Sequence, residues 1–271
     1  MYLFLDVDGT IINYKGKTPE SARIALRQAQ QNGHKLIVCT GCSECEIDGR
    51  NMDIDFDGII GGNGCYVRME DKVVFHKPLT KEQCRHFVDW CKQRDLAFRL
   101  ECNSGMYLSE GYEEKTEITR AKYAYGNDWQ GKQAPPLNPW MINGELYRDD
   151  VNKTAFILKS YQDYLDAKEE FKDLVVDTWG GKGELALYGA VRCGGIDKKT
   201  SIQMLLDYMK VGKEETIAFG DGIVDIPMFE VCGSSVAMGN ATEQVKKAAT
   251  YVTDDVDQDG MEKALRHFGF I

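Results

Sequence analysis

Short apolar runs recur near both ends of the chain, and each one stops abruptly at small or polar residues. Such runs are four or five residues long and do not alternate with polar positions, which is typical of strands buried on both faces of a parallel sheet. We therefore predict a strand at each run. In chain order the runs are YLFL, KLIVC, GII, TIAF, SVAM and YVT.

Segments with apolar residues at helical spacing lie between these strands. PESARIALRQAQQNG starts with Pro19 near its first turn and stops at Gly33, which is the usual placement of both residue types. DKKTSIQMLLDYMK and ATEQVKKAA follow the same pattern. Alternating strands and helices predict an α/β fold with a doubly wound, Rossmann-like parallel sheet, whose ligands bind beyond the carboxyl ends of the strands.

The middle of the chain has a different order of elements. It begins with a helix, TKEQCRHFVDWCKQR, and two short strands, AFRLEC and MYLS. A tyrosine-rich helix and a Pro/Gly-rich loop within 126–150 come next. The last elements are a strand, TAFILK, a helix, YQDYLDAKEEFK, and two strands, LVVDTW and ELALY. We predict a core domain from residues 1–78 and 194–271, with an α+β domain of residues 79–193 inserted. The loop is long for a compact domain, so it is either mobile or functional, for example as a lid.

Composition and charge argue against some classes of binding partner. At 271 residues with 43% hydrophobic positions, the chain can form one substantial core or two smaller ones. The net charge of −10 argues against nucleic acid or an acidic membrane surface as partner. No apolar run approaches the ~18 residues of a membrane span, and MYLFLDVDGT is too short for a signal peptide. Nothing in the pattern specifies an oligomeric state.

The nine cysteines are odd in number and scattered, which is typical of a reducing compartment; we expect a cytoplasmic protein. Cys39, Cys42 and Cys45 recur at a spacing of three and could begin an iron–sulfur ligand set. The next cysteine is Cys65, which does not continue that spacing. We therefore interpret Cys39 as a buried core residue instead.

Two acidic pairs follow predicted strands. Asp6 and Asp8 stand two positions apart and share a face if the strand continues that far, while Asp221 and Asp225 stand at i and i+4, on one face of a starting helix. Each like-charge pair at ~4 Å costs on the order of 4 kcal/mol at an effective dielectric near 20. Convergence would therefore require a cation, and hard oxygen ligands favour Mg²⁺. Helix caps and turn positions are the alternative role of these aspartates.

Four ordered motifs resemble those of the haloacid dehalogenase superfamily of phosphotransferases. DVDGT resembles the first motif, VCTG the second, Lys198 in GGIDKKT the third and GDGIVDIPMF the fourth. AMGNATEQVKKAA followed by DDVDQDG is similar to the Cof-type sugar-phosphatase branch, whose large α/β cap lies between the second and third motifs. The resemblance covers essentially the whole chain and is weak in the cap.

The resemblance implies a role for each motif residue. Asp6 is the nucleophile that forms an aspartyl-phosphate, and Asp8 is the general acid and base. Mg²⁺ is held by Asp6, the main-chain carbonyl of Asp8 and Asp221, with support from Asp225.

The remaining implied roles concern the phosphoryl group. Thr40 and the Gly41 amide hold its oxygens, and Lys198 neutralises charge there. Asn63 and Asn240 line the crevice in relatives, although both are also ordinary turn residues.

Two positions depart from the family pattern. Cys42 stands where relatives often have Arg after Thr-Gly, and Val224 stands where the fourth motif usually has an Asn that helps to hold phosphate. Neither change removes the implied nucleophile, acid/base or metal ligands, so the expected effect is on the strength of phosphate binding.

The resulting hypothesis is a Mg²⁺-dependent phosphatase for small phosphorylated metabolites, with sugar phosphates as the favoured class. A phosphomutase with the same chemistry and a degenerate phospho-ligand binder are the alternatives. GGIDKKT lacks the Gly-Lys-Ser/Thr ending of a nucleotide-binding loop, which argues against a kinase-type NTPase. Aromatic side chains of the cap either stack on the substrate or form its core: Tyr107, Tyr112, Trp129, Trp140, Tyr147 and Trp179.

Overall fold

The structure is a computed structural model that describes residues 1–50 and 52–271. The chain separates into two compact units, here called the core unit and the insert unit. The core unit consists of Met1–Cys42, Arg50–His76 and Ile196–Ile271. The insert unit consists of Ser43–Gly49 and Lys77–Gly195. The short segment Ser43–Gly49 therefore belongs to a different unit from the residues on either side of it.

The core unit contains an eight-stranded sheet in the order β14-β13-β12-β1-β2-β3-β4-β5. The six strands from β14 to β3 are parallel, and the last two join by antiparallel pairing. These strands are β1 (Tyr2–Leu5), β2 (Lys35–Cys39), β3 (Gly58–Gly61), β4 (Tyr66–Met69), β5 (Lys72–His76), β12 (Thr216–Gly220), β13 (Ser234–Ala237) and β14 (Tyr251–Val252). All six apolar runs that predicted strands lie in this sheet. The hairpin of β4 and β5 was not predicted.

Helices of the core unit cover the sheet through their apolar residues. Ile202 and Leu205 of the helix that begins at Lys198 pack in one cluster with Phe4 and Ile37 of the central strands. These side chains are fully buried, so this packing fixes the start of that helix relative to the strand ends. The helices are α1 (Glu20–Gln31), α6 (Lys198–Met209), α7 (Ile226–Val231), α8 (Glu243–Ala248) and α9 (Gly260–His267).

The insert unit contains a six-stranded sheet in the order β10-β11-β9-β6-β7-β8, antiparallel except for the pair β7 and β8. Its strands are β6 (Phe98–Cys102), β7 (Gly105–Leu108), β8 (Met141–Ile142), β9 (Val151–Ile157), β10 (Val175–Trp179) and β11 (Tyr188–Arg192). Its helices are α2 (Glu44–Gly49), α3 (Lys81–Gln93), α4 (Tyr112–Tyr125) and α5 (Tyr161–Glu170). The 126–150 loop contains β8.

Both faces of this second sheet are covered. Phe98 and Phe156 pack with Phe87 and Phe171 in one cluster. The neighbouring Ala97 and Ile157 point to the other face and pack with Tyr112, as period-two alternation requires. Trp179 stacks on Tyr188 with ring centroids 3.8 Å apart. Four of the cap aromatics that could have contacted substrate therefore pack against these clusters: Tyr107 and Tyr147 on the first, Tyr112 and Trp179 on the second.

One strand prediction is displaced along the chain. The segment ELALY does not form the strand; Gly183–Leu185 forms a short 3₁₀ turn, and Leu185 is 79% exposed. The strand is Tyr188–Arg192, in which Gly189 pairs with Phe156 of the neighbouring strand. An added Cβ at Gly189 would come within 2.2 Å of that ring. In the described part of the chain, no helix has the length and apolar character needed to cross a bilayer.

Candidate active site

Three aspartates meet at the carboxyl ends of the adjacent strands β1 and β12. Asp6 follows β1 directly, and its amide donates to the carbonyl oxygen of Phe219 at 3.0 Å, which continues the strand pairing. Asp221 follows β12, and Asp225 lies in the 3₁₀ turn after it. One carboxylate oxygen from each of the three aspartates lies within 4.8 Å of the other two. All three residues are at most 8% exposed.

Lys198 lies between two of these carboxylates. Its Nζ donates to Oδ1 of Asp6 at 2.7 Å and to Oδ1 of Asp225 at 2.6 Å, and the residue is 4% exposed. Lys198 is the first residue of α6, whose start is fixed by the Asp197 side chain accepting from the Thr200 amide at 2.8 Å. Burial alone would lower the pKa of Lys198, but attraction to Asp6 and Asp225 raises it, so this lysine is charged.

Burial also dominates the protonation of Asp6. It raises the pKa of Asp6 to about 7, against the opposing attraction of Lys198 and with added repulsion from Asp225 and Asp221. A group of carboxylates with one buried lysine therefore carries an excess of negative charge. An added cation would relieve this excess.

Asp225 has both oxygens occupied by protein donors. Oδ1 accepts from Lys198, while Oδ2 accepts from the amides of Asp221 at 3.1 Å and Gly222 at 2.9 Å. Asp225 therefore fixes the backbone that presents Asp221. Val224, next to it in the chain, is 66% exposed.

Asp221 is held by three side chains of neighbouring loops. Thr10 Oγ1 donates to its Oδ1 at 3.2 Å, and Asn240 Nδ2 donates to its Oδ2 at 3.2 Å. The Tyr14 hydroxyl also donates to Oδ2, although Tyr14 is 73% exposed. Burial raises the pKa of Asp221, and the Tyr14 hydroxyl opposes that rise. Sequence reasoning assigned no role to Thr10 or Tyr14; Thr10 lies within the quoted DVDGT motif, but nothing in the pattern marks Tyr14.

Gly9 allows the loop after β1 to approach Asp221. Its φ is +88°, and an added Cβ would lie 2.2 Å from Oδ2 of Asp221. Its carbonyl oxygen accepts from Asn240 Nδ2 at 2.9 Å, while the Asn240 side-chain oxygen accepts from the amide of Val256 at 3.0 Å. Asn240 is therefore brought to the acidic group, where it joins three loops.

The Asp8 carboxylate forms an ion pair and is not one of the three that meet. Strand β1 ends at Leu5, so the extended conformation that would place Asp6 and Asp8 on one face does not reach Asp8. The Asp8 side chain is 54% exposed and forms an ion pair with Arg50. Its carboxylate does not belong to the three-aspartate group among the described residues.

The Thr40–Gly41 turn follows β2, the strand next to β1. Thr40 is 3% exposed, its amide donates to the Ile60 carbonyl oxygen at 2.8 Å, and its Oγ1 accepts from the Cys42 amide at 3.2 Å. Asn63 lies beside this turn, since a Cβ added at Gly41 would be 2.9 Å from its Oδ1. Cys39 is buried, and the Cys42 sulfur accepts from Arg50 Nη2 at 3.4 Å.

The donor set suits a hard divalent cation. Asp6, Asp221 and Asp225 offer only carboxylate oxygens, which is the chemistry that Mg²⁺ prefers. Burial raises the pKa of both Asp6 and Asp221, so a bound cation would favour their ionised forms. The three carboxylates therefore fit a magnesium ion, which Asp6, Asp221 and Asp225 would hold.

A family model described as haloacid dehalogenase-like hydrolase matches residues 3–265. YkrA of Bacillus subtilis (strain 168), named as a candidate phosphatase, is 25% identical over 99% of this chain and 98% of its own length. A hypothetical protein of Geobacillus kaustophilus HTA426 has a solved structure with TM-score 0.84, 24% identity, and coverage of 100% and 99% of the two chains.

A solved phosphatase of the same superfamily from Bacteroides thetaiotaomicron has TM-score 0.75 and 27% identity, covering 100% of this chain and 95% of its own. These findings confirm the predicted α/β fold class, the predicted family and the predicted class of enzyme, a phosphatase within it. Because the family model spans nearly the entire sequence, the chain belongs to the haloacid dehalogenase-like hydrolases.

Proposed function

We propose that this protein is a Mg²⁺-dependent phosphatase that hydrolyses small phosphorylated metabolites, with sugar phosphates as the main class. The observation that carries the proposal is the buried cluster in which Lys198 bridges Asp6 and Asp225 while Asp221 lies within 4.8 Å. Three buried carboxylates around one lysine would destabilise a core that served only folding, because buried charges without a matching partner are costly. Phosphoryl transfer needs such a concentration of fixed charge.

In the first step, Asp6 attacks the phosphorus atom and the bond from phosphorus to the ester oxygen breaks. Asp8 gives its proton to the leaving alkoxide. Lys198, 2.7 Å from Asp6, reduces the repulsion between the carboxylate and the anionic ester. When bound, Mg²⁺ supplies further positive charge against that repulsion.

In the second step, Asp8 takes a proton from water, and the resulting hydroxide attacks the aspartyl-phosphate to release inorganic phosphate and regenerate Asp6. Asp8 suits a group that exchanges protons with solvent because its side chain is half exposed. Asp6 is buried and suits covalent attack, because the aspartyl-phosphate, an acyl phosphate, is then shielded from uncontrolled hydrolysis.

The Thr40–Gly41 turn supplies the phosphate-binding groups in this proposal. The Thr40 hydroxyl and the Gly41 amide bind the phosphoryl oxygens, and Asn63 beside Gly41 adds an amide side chain. Asn240 acts indirectly, by holding Asp221.

Relatives support a small phosphorylated metabolite as substrate. YwtE of Bacillus subtilis (strain 168), 23% identical over 95% of this chain, is named as a 5-amino-6-(5-phospho-D-ribitylamino)uracil phosphatase. That name places the phosphate on a ribityl chain, the chain of a sugar alcohol, which supports the proposed class. Resemblance to the Cof-type branch assigns the choice among such substrates to residues 79–193.

The test compares phosphate release from p-nitrophenyl phosphate with Mg²⁺ by wild type and Asp6→Asn. Asp207→Asn is the matched control, because Asp207 is an exposed aspartate on α6 whose carboxylate accepts a hydrogen bond from Gln203. Loss of release in Asp6→Asn alone supports the proposal. Equal rates in all three proteins would end it.

A phosphorylated-sugar panel then identifies the substrate class. Product analysis with a hexose 1-phosphate separates hydrolysis, which yields free phosphate, from the phosphomutase alternative, which yields an isomeric hexose phosphate. Binding of the ester with no release of phosphate over hours would support the degenerate binder, for which the departures at Cys42 and Val224 are the motivation.

A further inference from the structure

Arg50 brings a guanidinium to the two loops that carry the proposed acid/base and phosphate-binding residues. Its Nη1 donates to Oδ1 of Asp8, and its Nη2 donates to the sulfur of Cys42 at 3.4 Å. Cys42 directly follows the Thr40–Gly41 turn. All of these residues belong to the core unit.

The summed charge of the acidic group, Asp8 and the two nearby cations shows how Arg50 would affect the binding of an anion. With all four carboxylates ionised, Asp6, Asp8, Asp221 and Asp225 contribute −4 and Lys198 and Arg50 contribute +2, which sums to −2. Without Arg50 the sum becomes −3. A phosphate monoester, itself an anion, would then meet a site that repels it more strongly.

We propose that Arg50 is a further substrate-binding residue that donates hydrogen bonds to the phosphoryl group; this inference rests on the proposed phosphatase function. The position after Thr40–Gly41 is the uncharged Cys42, and the Arg50 guanidinium lies against its side chain. A residue eight positions later thus supplies the positive charge at this point. The guanidinium has five N–H donors in a planar fork, so it can contact Asp8 and phosphoryl oxygens together.

A purely structural ion pair explains the arrangement less well. The side chains of Asp8 and Arg50 are 54% and 22% exposed, and an ion pair so open to water adds little to folding stability. Its contribution to anion binding is larger, because each hydrogen bond between a charged donor and a phosphoryl oxygen is among the strong ones.

The experiment measures the affinity for inorganic phosphate by calorimetry, with Mg²⁺ and again with EDTA, together with KM for p-nitrophenyl phosphate. Arg50→Gln is expected to lower the phosphate affinity and to raise KM, each by roughly 10- to 100-fold, because one charge-assisted hydrogen bond is lost. Arg50→Lys keeps the charge without the fork and should lie in between. Arg266→Gln is the matched control, because Arg266 of α9 also pairs with a carboxylate, that of Glu262, and it should match wild type.

A rescue variant distinguishes charge from local structure. Cys42→Arg combined with Arg50→Gln restores a guanidinium directly after Thr40–Gly41, and we expect it to recover most of the lost phosphate affinity. A purely structural role for Arg50 would not be rescued in this way.

Phosphate affinity in Arg50→Gln and Arg50→Lys equal to that of wild type would overturn the inference. If Arg50→Gln does not fold, the comparison of Arg50→Lys with wild type decides by the same criterion. Wild type that releases no phosphate from any ester would end the proposed function, while an Arg50-dependent affinity for inorganic phosphate would still support the binding role.

Discussion

Lys198 Nζ lies 2.7 Å from Oδ1 of Asp6, and both residues are buried. A lysine at the start of one helix and an aspartate at the end of a distant strand thus form one charged unit. The consequence is that removing the lysine leaves Asp6 and Asp225 without the cation that they share in the interior.

Lys198→Met should therefore impair both stability and activity. Breaking a buried ion pair costs about 3–5 kcal/mol of the free energy of unfolding, and the loss of positive charge near the transferring group should lower kcat/KM by ~10²-fold or more. Lys199→Met is the matched control, since Lys199 is the next residue and forms an exposed pair with Glu230. Urea unfolding and steady-state kinetics provide the measurements. Indistinguishable behaviour of the two variants would contradict the assignment.

The raised pKa of Asp6 predicts a pH dependence of stability in the metal-free protein. Burial raises this pKa from 3.8 to about 7, so between these values the folded protein binds a proton that the unfolded chain does not. The stabilising contribution is fully present below about pH 4 and is lost as the pH rises through about 7. From pH 5 to pH 8 in EDTA, wild type should lose about 1–3 kcal/mol relative to Asp6→Asn.

Urea unfolding of both proteins at the two pH values measures this difference. The Asp6→Asn variant cannot titrate at position 6. Subtracting its pH dependence from that of wild type therefore removes the contribution of all other groups. A difference between wild type and variant that stays constant with pH would show that Asp6 is ionised throughout.

Gly9→Ala should disturb the metal site. The residue has φ +88°, and its new Cβ would lie 2.2 Å from Asp221 Oδ2, so Asp221 must move. Gly16→Ala is a sharp control because Gly16 has φ +74° with no atom within 4 Å of an added Cβ. Both variants should lose about 1 kcal/mol from the left-handed backbone, but only Gly9→Ala should lose Mg²⁺ affinity in calorimetry. Equal Mg²⁺ affinities in the two variants would refute the close approach.

Tyr14→Phe should weaken Mg²⁺ binding below neutral pH. The hydroxyl donates to Asp221 and opposes the rise in that pKa caused by burial, so its removal favours the protonated carboxyl, which does not bind metal. We expect ~10-fold weaker binding at pH 6 and a smaller effect at pH 8. Tyr208→Phe, at another exposed tyrosine, should have no effect. Tighter binding in Tyr14→Phe would show instead that the hydroxyl competes with the ion for Asp221.

Periodicity and strand ends predict the core sheet because they depend on local burial. Runs such as KLIVC became β2, and the acidic residues placed after two runs meet in space because parallel strands β1 and β12 are neighbours. That the Asp8 carboxylate is not part of the three-aspartate group could not be predicted, since it depends on where β1 stops. Arg50 and Tyr14 were missed for a related reason: each reaches its partner from a loop or helix end, and such contacts leave no periodic signal in the sequence.

Segment Ser43–Gly49 has a practical consequence for chimaeras. It packs with the insert unit through Asn152, whose Nδ2 donates to Ser43 Oγ at 2.9 Å, and through Cys45, which donates to the Cys102 carbonyl oxygen. A chimaera that exchanged only the segment between the His76–Lys77 and Gly195–Ile196 junctions would leave this seven-residue stretch without its native neighbours. A transplant from a related enzyme should carry its own counterpart of this stretch, so two exchanged pieces, rather than one, are the smallest interchangeable cassette.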